Sequence, residues 1–184
     1  FYLIMKALFY IFSLFPKSFF IYLVDLYLYT RIYKLFSSYK VKKINLEIAY
    51  PDLKKNDILL ISKLSIRESI ISGYETIYTW GRNDYESNAQ IFKITNNFLL
   101  NRLYSEDKGL IAVSIHNKSM DMLLKWINSN IKTVSLYKKV KIKPLETFVK
   151  KDRESGGSVA VETSIGGVRK ILKALISKKA ICFA

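Results

Sequence analysis

The chain has 184 residues, 50% of them apolar and 24% charged, so it can bury the core of one domain, and disordered and fibrous classes are excluded. Its 30 lysines and arginines against 15 acidic residues give a formal net charge of +15, which indicates a polyanionic partner, nucleic acid or an anionic membrane. A single cysteine and a single histidine exclude an internal disulfide and a structural zinc site with four N/S ligands.

The first 36 residues are rich in Phe, Tyr, Leu and Ile, but charged residues interrupt them. The interrupting residues are Lys6, Lys17, Asp25 and Arg31. No uncharged run therefore approaches the roughly 18 to 20 residues of an easy membrane span. Pro16 predicts a break between two helical pieces, residues 2–14 and 18–36.

Interfacial residue types mark this segment and the residues that follow it. The tyrosines are Tyr22, Tyr27, Tyr29 and Tyr33, and the lysines are Lys34, Lys40, Lys42 and Lys43. Tyrosine suits the bilayer interface and lysine suits anionic headgroups on the cytoplasmic side. We interpret residues 1–36 as a membrane-associated helical anchor. The alternative is a helical hairpin buried in a soluble core, where aromatic stripes are also common.

From about residue 40 the pattern becomes that of a soluble α/β domain. Residues 56–80 carry apolar side chains at three- and four-residue spacing, which predicts a long amphipathic helix. A polar loop is predicted at residues 82–88. Short apolar runs then alternate with helical stretches: runs at 91–94, 110–115, 133–136, 158–161 and 180–183, and helices at 97–104, 118–129, 145–151 and 165–177. This alternation predicts a mainly parallel sheet with helices on both faces. We assign residues 37–184 to one α/β domain. Because the sequence begins without Met and stops directly after an apolar strand, we expect the chain to be incomplete at its C-terminus.

The only histidine, His116, directly follows the apolar run 110–115 and therefore lies at the carboxyl end of a predicted buried strand. Ligand crevices of open α/β sheets lie at this edge. With His116 in the turn and Asp121 in the first turns of the next helix, the carboxylate can fold back onto the imidazole and raise its basicity. The alternatives are a hydrogen-bonded structural histidine and a helix N-terminal charge. Ser114 and Ser119 are conceivable nucleophiles, or else a strand residue and a helix-start hydroxyl.

Motifs for several other chemistries are absent from the sequence. It contains no G-x-S-x-G elbow, no G-x-x-x-x-G-K-[ST] loop and no G-x-G-x-x-G fingerprint. The sequence therefore lacks the motifs that form the active site of a serine hydrolase, a nucleotide-phosphate site or a dinucleotide site.

In addition to His116-x4-Asp121, several segments in chain order resemble one family, the bacterial lipid A biosynthesis acyltransferases (lauroyl/myristoyl transferases) of the His-x4-Asp/Glu acyltransferase superfamily. They are residues 45–51 (Asn-Leu-Glu-Ile-Ala-Tyr-Pro), the helix with Glu75 before Trp80, the strand 109–116, Tyr137 with Pro144 and Leu145, Arg153-x-x-Gly156, and residues 167–175. Many members read His-x-Gly-Asn-Trp-Glu at the first motif. This sequence has Lys118 for Gly, Met120 for the aromatic residue and Asp121 for Glu.

The resemblance implies transfer of a fatty acyl chain from acyl carrier protein to a hydroxyl of a lipid A precursor, a phosphorylated glycolipid, at the cytoplasmic face of the bacterial inner membrane. It implies that His116 is the general base, that Asp121 orients it, and that Arg153 binds a developing oxyanion or an acceptor phosphate. No cofactor and no metal are expected. Without the resemblance, Arg153 would be interpreted as a solvated helix-end charge.

A basic cluster occupies the same half of the chain: Lys132, Lys138, Lys139, Lys141, Lys143, Lys150 and Lys151. It is either a solvated face or a surface for glycolipid, anionic bilayer and the acidic carrier protein. We take Lys118, Lys138 and Lys139 as candidate substrate-binding residues. Two other functions remain open: a non-catalytic membrane-anchored interaction protein of the same fold, and a basic nucleic-acid-binding protein, for which no recognition motif is present. No nucleic-acid partner is expected.

Overall fold

The computed structural model of the chain describes residues 2–115 and 118–183. It contains two compact units, one formed by Phe1–Ser13 with Thr76–Ala184 and the other by Leu14–Glu75. The α-helices, in chain order, are α1 (Tyr2–Ser13), α2 (Lys17–Tyr29), α3 (Ser37–Ala49), α4 (Lys55–Gly81), α5 (Asp84–Asn88), α6 (Phe98–Ser105), α7 (Met120–Asn130), α8 (Lys143–Arg153) and α9 (Ile165–Ile176).

The unit that contains the sheet has a parallel arrangement of strands. They are β1 (Leu110–Val113), β2 (Thr133–Tyr137), β3 (Val159–Glu162) and β4 (Ala180–Phe183), in the order β1-β4-β2-β3. Every pairing is parallel, with β4 between β1 and β2. The predicted parallel sheet is therefore confirmed.

Alternating side chains of β4 face two different layers of helix. Ala180 and Cys182 pack with Ile127 and Ile131 at the end of α7. Ile181, between them, packs instead with residues of α9. Because successive side chains of a strand point to opposite faces, α7 and α9 cover opposite faces of the sheet. The prediction of helices on both faces is confirmed as well.

In the unit that contains the sheet, the structure differs from the predicted elements at three places. Residues 91–94 form no strand, and Phe92 is fully exposed, because an apolar run this short forms a strand only where a partner strand is available. The strand at 110–115 ends at Val113, and Ile111 and Val113 are exposed, so β1 is an edge strand rather than a buried one. The predicted loop 82–88 contains α5, which begins with a capping box between Asn83 and Glu86.

In the unit Leu14–Glu75, residues 18–36 form two elements rather than one helix. After α2 ends at Tyr29, Arg31 adopts a left-handed conformation (φ 61°), and Ile32–Leu35 form a 3₁₀ turn. The buried core of this unit contains Val24, Leu28, Tyr33, Tyr39 and Ile66. The positions of the polar residues in the sequence did not predict the end of α2 at Tyr29, which the left-handed conformation of Arg31 follows.

Two of the charges that interrupt the N-terminal segment have partners on α4. The ammonium of Lys17 lies 2.5 Å from Oε1 of the buried Glu75. Arg67 donates from Nε and Nη2 to the two carboxylate oxygens of Asp25, at 2.6 and 3.0 Å, and this contact lowers the pKa of Asp25. These charges therefore belong to ion pairs.

In the unit that contains the sheet, α1 packs through one side and leaves the other exposed. The Phe9 ring contacts Trp80 and Phe148, and the Lys6 ammonium donates to the carbonyls of Trp80 and Arg82 at 2.8 and 3.3 Å. The outward side chains are Leu3, Ile4, Leu8 and Ile11. The first thirteen residues of the predicted anchor are thus part of the unit that contains the sheet.

Among the described residues, no helix taken singly has the length and apolar character to cross a membrane. Helices α1 and α2 meet that requirement only when they are counted together across the break between them. The structure confirms the break at Pro16, and membrane association of these helices stays a prediction.

Candidate active site

The pairing of β1 with β4 extends to Ser114, which precedes the predicted catalytic histidine by two residues in the sequence. The Ser114 amide donates to the Phe183 carbonyl at 2.9 Å, which continues the sheet pairing beyond β1. His116 and its neighbour Asn117 lie outside the described residues. Ser119 then adopts a left-handed conformation (φ 61°) and α7 begins at Met120. A non-glycine residue held in this region of backbone space is strained, and such strain is concentrated at functional sites.

The structure brings together two of the predicted site residues, Asp121 and Arg153. Asp121 lies in the first turn of α7, and Arg153 is the last residue of α8. The guanidinium donates from Nε and Nη2 to Oδ1 of Asp121, at 3.3 and 3.1 Å. The two side chains are 13% and 26% exposed, so water screens this ion pair less than one on an open surface. Arg153 is therefore a partly buried partner of Asp121 rather than a solvated charge.

A cavity of about 440 Å³ opens beside this ion pair. Its charged lining residues are Asp121, Arg153 and Lys138. Its apolar lining residues include Leu123, Leu124 and Ile127 of α7, with Leu136 and Phe183 from the sheet. The cavity lining thus combines charged groups with apolar side chains.

The loop that follows β2 is tied back by the carboxylate of Glu146 on α8. The Tyr137 hydroxyl donates to Oε1 at 2.5 Å, and the Val140 amide donates to Oε2 at 2.6 Å. Burial and the contact with Glu146 raise the pKa of Tyr137. Burial alone would raise the pKa of Glu146, but these two hydrogen bonds hold it below its ordinary value. The loop that carries Lys138 and Lys139 is therefore held against α8.

The three candidate substrate-binding lysines occupy different places. Lys138 is exposed and lines the cavity. The Lys139 ammonium instead forms an ion pair with Glu162 at 2.8 Å, which raises the pKa of Lys139. Lys118 is exposed in the turn that precedes α7. Of these three lysines, Lys138 is the one that lines the cavity.

The Arg153-x-x-Gly156 segment fits closely against α7. Gly156 has φ +64°, and a Cβ at this position would overlap the backbone carbonyl of Asn128. Asn128 is itself buried and donates from Nδ2 to the carbonyl of Arg153 at 2.9 Å. Any side chain at position 156 would force the end of α8 away from α7. The glycine is therefore required by this close approach.

Sequence reasoning missed two charged residues in this region, Lys125 and Asp152. Their side chains are only 3% and 9% exposed, and their charged groups lie 3.2 Å apart. The signal in the sequence was the spacing of polar residues on α7, since Asp121, Lys125 and Asn128 are four and three residues apart and share one helix face.

Within residues 2–115 and 118–183, no group of three His, Cys, Asp or Glu side chains is placed to hold a metal ion.

Comparison with known proteins identifies the family of the chain. The family model described as bacterial lipid A biosynthesis acyltransferase matches residues 1–184. No curated protein matches the chain. The family match spans all the elements that surround the cavity and confirms the resemblance noted in the sequence. The chain belongs to the bacterial lipid A biosynthesis acyltransferase family.

Proposed function

We propose that this acyltransferase moves a fatty acyl chain from the thioester of acyl carrier protein to a hydroxyl of a lipid A precursor, with His116 as the general base. Membership of the family supplies the coarser part, acyl transfer in lipid A biosynthesis. The observation that supports the finer part is the Asp121–Arg153 ion pair in the lining of a cavity that also has many apolar side chains. The net charge of +15 suits nucleic acid and an anionic membrane equally, and no other observation on the described residues favours the nucleic-acid-binding or the non-catalytic alternative.

The proposed reaction begins at the acceptor hydroxyl. A ring nitrogen of His116 takes the hydroxyl proton as the oxygen attacks the thioester carbonyl, and the carbonyl oxygen becomes an oxyanion. The tetrahedral intermediate then collapses, the C–S bond breaks, and the leaving thiolate takes the proton back from the imidazolium. The new ester and the free thiol are the products.

Asp121 and Arg153 have complementary roles in this proposal. The carboxylate of Asp121 orients the imidazole and stabilises its protonated form. Both contacts from Arg153 go to Oδ1, so the ion pair does not occupy Oδ2. Arg153 directs its remaining N–H groups at the oxyanion or at an acceptor phosphate, for which the planar guanidinium is suited.

The apolar wall of the cavity suits a hydrocarbon chain. Leucines and isoleucine from α7 line the same cavity as Asp121 and Arg153. Each methylene moved from water into an apolar site contributes about 0.8 kcal/mol, which favours binding of a fatty chain there. The exposed Lys138, which also lines the cavity, supplies a positive charge for an acidic carrier protein or a phosphorylated acceptor.

Mass spectrometry of lipids tests the proposed class directly. Lipid A from cells that express the protein should carry one more acyl chain than lipid A from matched cells without it. The purified protein should transfer the chain from acyl carrier protein thioester and work poorly with the corresponding coenzyme A thioester. Unchanged lipid A with gain of an acyl chain on another lipid would contradict the acceptor, and equal use of both thioesters would contradict the donor.

We place the protein at the cytoplasmic face of a bacterial inner membrane. The support is the outward apolar face of α1 and the exposed aromatic residues Phe19, Tyr22 and Tyr29 of α2. Exposed apolar patches of this kind are characteristic of membrane or partner surfaces. Lysines near α1 add attraction to anionic lipids, and the Lys151 ammonium lies 4.2 Å from the centre of the Tyr2 ring.

Substitution on α1 tests this placement more cleanly than deletion of residues 1–36, because Lys6 and Phe9 are packed in the unit that contains the sheet. The triple variant Leu3→Gln, Leu8→Gln, Ile11→Gln should weaken binding to anionic vesicles by at least about tenfold, since it removes apolar area from the bilayer. Sedimentation with phosphatidylglycerol-containing vesicles measures the change.

The matched control changes three exposed residues on α9, Ile165→Gln, Leu172→Gln and Ile176→Gln, which have similar exposure but lie across the sheet from α7. This control should bind vesicles like the unmodified protein. Loss of binding in the α9 variant alone would place the membrane-facing surface on the other side of the sheet and contradict the proposal.

A further inference from the structure

One face of α7 holds the end of α8 at three successive positions. Asp121 binds the Arg153 guanidinium, Lys125 binds the carboxylate of Asp152, and Asn128 donates to the Arg153 carbonyl. The spacing of four and then three residues places all three side chains on one stripe of the helix. Helix α7 thus binds both the side chain and the backbone of Arg153, the residue that the proposed function assigns to the oxyanion or phosphate.

Lys125 is the central member of this stripe and is deeply buried. Its ammonium donates to the carbonyls of Thr79 and Arg82 and to Oδ1 of Asp152, at 2.7, 2.9 and 3.2 Å. An ammonium has three protons, so these three bonds use all of them. The Asp84 carboxylate lies farther away, at 3.7 Å. Lys125 therefore joins the end of α4 to the end of α8 with a fully satisfied charge.

Stability alone does not explain a buried pair of this kind. Removing two charges from water is costly, and well-packed apolar residues in their place are often equally stable or more stable. Burial indeed raises the pKa of Asp152, although Lys125 opposes that shift. A pair that is expensive for folding but sets a fixed register between two helices points to a role at the adjacent residue.

We propose that Lys125 is a positioning residue, whose bond to Asp152 fixes the last turn of α8 and thereby holds the Arg153 guanidinium on Asp121. The proposal rests on the proposed function for its effect on catalysis, but not for the contact itself. Lys125 touches neither substrate in this scheme. With Arg153 acting on the oxyanion, loss of Lys125 lowers kcat and leaves KM nearly unchanged, whereas a rise in KM would place Arg153 on the acceptor phosphate instead.

The Lys125→Met variant leaves Asp152 buried without its partner and is at risk of unfolding, so the double variant Lys125→Met, Asp152→Leu carries the test. Replacing both charged residues with apolar ones leaves neither charge buried without its partner, and it removes the hydrogen bond between Lys125 and Asp152. The carbonyls of Thr79 and Arg82 lose a donor in this variant, so we expect it to fold but to melt below the unmodified protein, as the control described below does. The folded variant should lose about 10- to 100-fold in kcat, the scale of a misplacement of about 1 Å, and should keep KM within about threefold.

A matched control is available on α1. The Lys6 ammonium also donates to backbone carbonyls at the end of α4, those of Trp80 and Arg82. It acts on Asp152 through its charge, but within residues 2–115 and 118–183 no hydrogen bond joins the two side chains. Lys6→Met thus removes a nearby charge and leaves the Lys125–Asp152 hydrogen bond in place. Lys6→Met should therefore lower the melting temperature while the folded enzyme keeps its kcat. Equal loss of kcat in Lys6→Met would show a general effect of the α4 end and overturn the proposal.

A second readout does not depend on activity. The Nε–H resonance of Arg153, assigned by its loss in Arg153→Lys, should move in the double variant toward its position in Asp121→Asn and stay unchanged in Lys6→Met. An unchanged resonance in the double variant would overturn the proposal whatever its activity. A shifted resonance with unchanged kcat would support the positioning and contradict the proposed role of Arg153, so the two failures are distinguishable.

Discussion

Replacement of His116 by alanine should lower acyl transfer by about 10²- to 10⁴-fold, the usual contribution of a positioned general base. The acceptor hydroxyl would then have to lose its proton to water while it attacks the thioester. Folding and binding to vesicles should change little, because the proposed role concerns only the reacting atoms. The measurement is the rate of transfer from acyl carrier protein thioester to a lipid A precursor, together with the melting temperature of the purified variant.

The alternative of a structural histidine makes the opposite prediction. If His116 served only to hold its strand end, His116→Ala would lower the melting temperature while the folded fraction kept its specific activity. A variant without this imidazole that acylates at a near-normal rate would end the assignment of His116 as base. Asp121 and Arg153 would then be an ion pair that links the start of α7 to the end of α8.

Elements with a strong apolar period were predictable from the sequence. The helix expected at 56–80 is α4, Lys55–Gly81, and the strand expected at 180–183 is β4. Both predictions depend on the spacing of apolar residues within a single segment of the chain. The prediction of a strand at 91–94 was wrong. A strand also needs a partner strand to pair with, and a run of four apolar residues does not show whether a partner is available.

Contacts between distant segments were not predictable in the same way. Asp121 and Arg153 were each identified, but their ion pair joins residues 32 positions apart and depends on how closely α7 approaches α8. Composition likewise treats every lysine as a surface charge, which hid the buried Lys125. Asp25 was interpreted as an interruption of an apolar segment, and its partner Arg67 lies 42 positions away.

Arg153→Lys should lower kcat by about 10²- to 10³-fold, a loss typical of removing one donor to a developing oxyanion. Arginine uses Nε and Nη2 on a single oxygen of Asp121, which leaves other N–H groups of the same rigid plane for substrate. A lysine ammonium is a point charge and cannot hold Asp121 while it presents a second donor in a fixed direction. Steady-state kinetics with purified protein, with the melting temperature as a check on folding, measure this change.

Variants at Asp121 complete the test of the ion pair. Asp121→Asn should be nearly as damaging as His116→Ala, because it keeps the size of the side chain but removes the charge that holds Arg153 and stabilises imidazolium. Asp121→Glu should be the mildest change, since members of the family commonly carry Glu at this position. The double variant Asp121→Asn, Arg153→Lys should lose less than the product of the two single losses, because residues that act as one unit are not additive. Full multiplication of the two losses, or near-normal activity of Arg153→Lys, would show that the ion pair in the cavity lining does not act as one unit in the reaction.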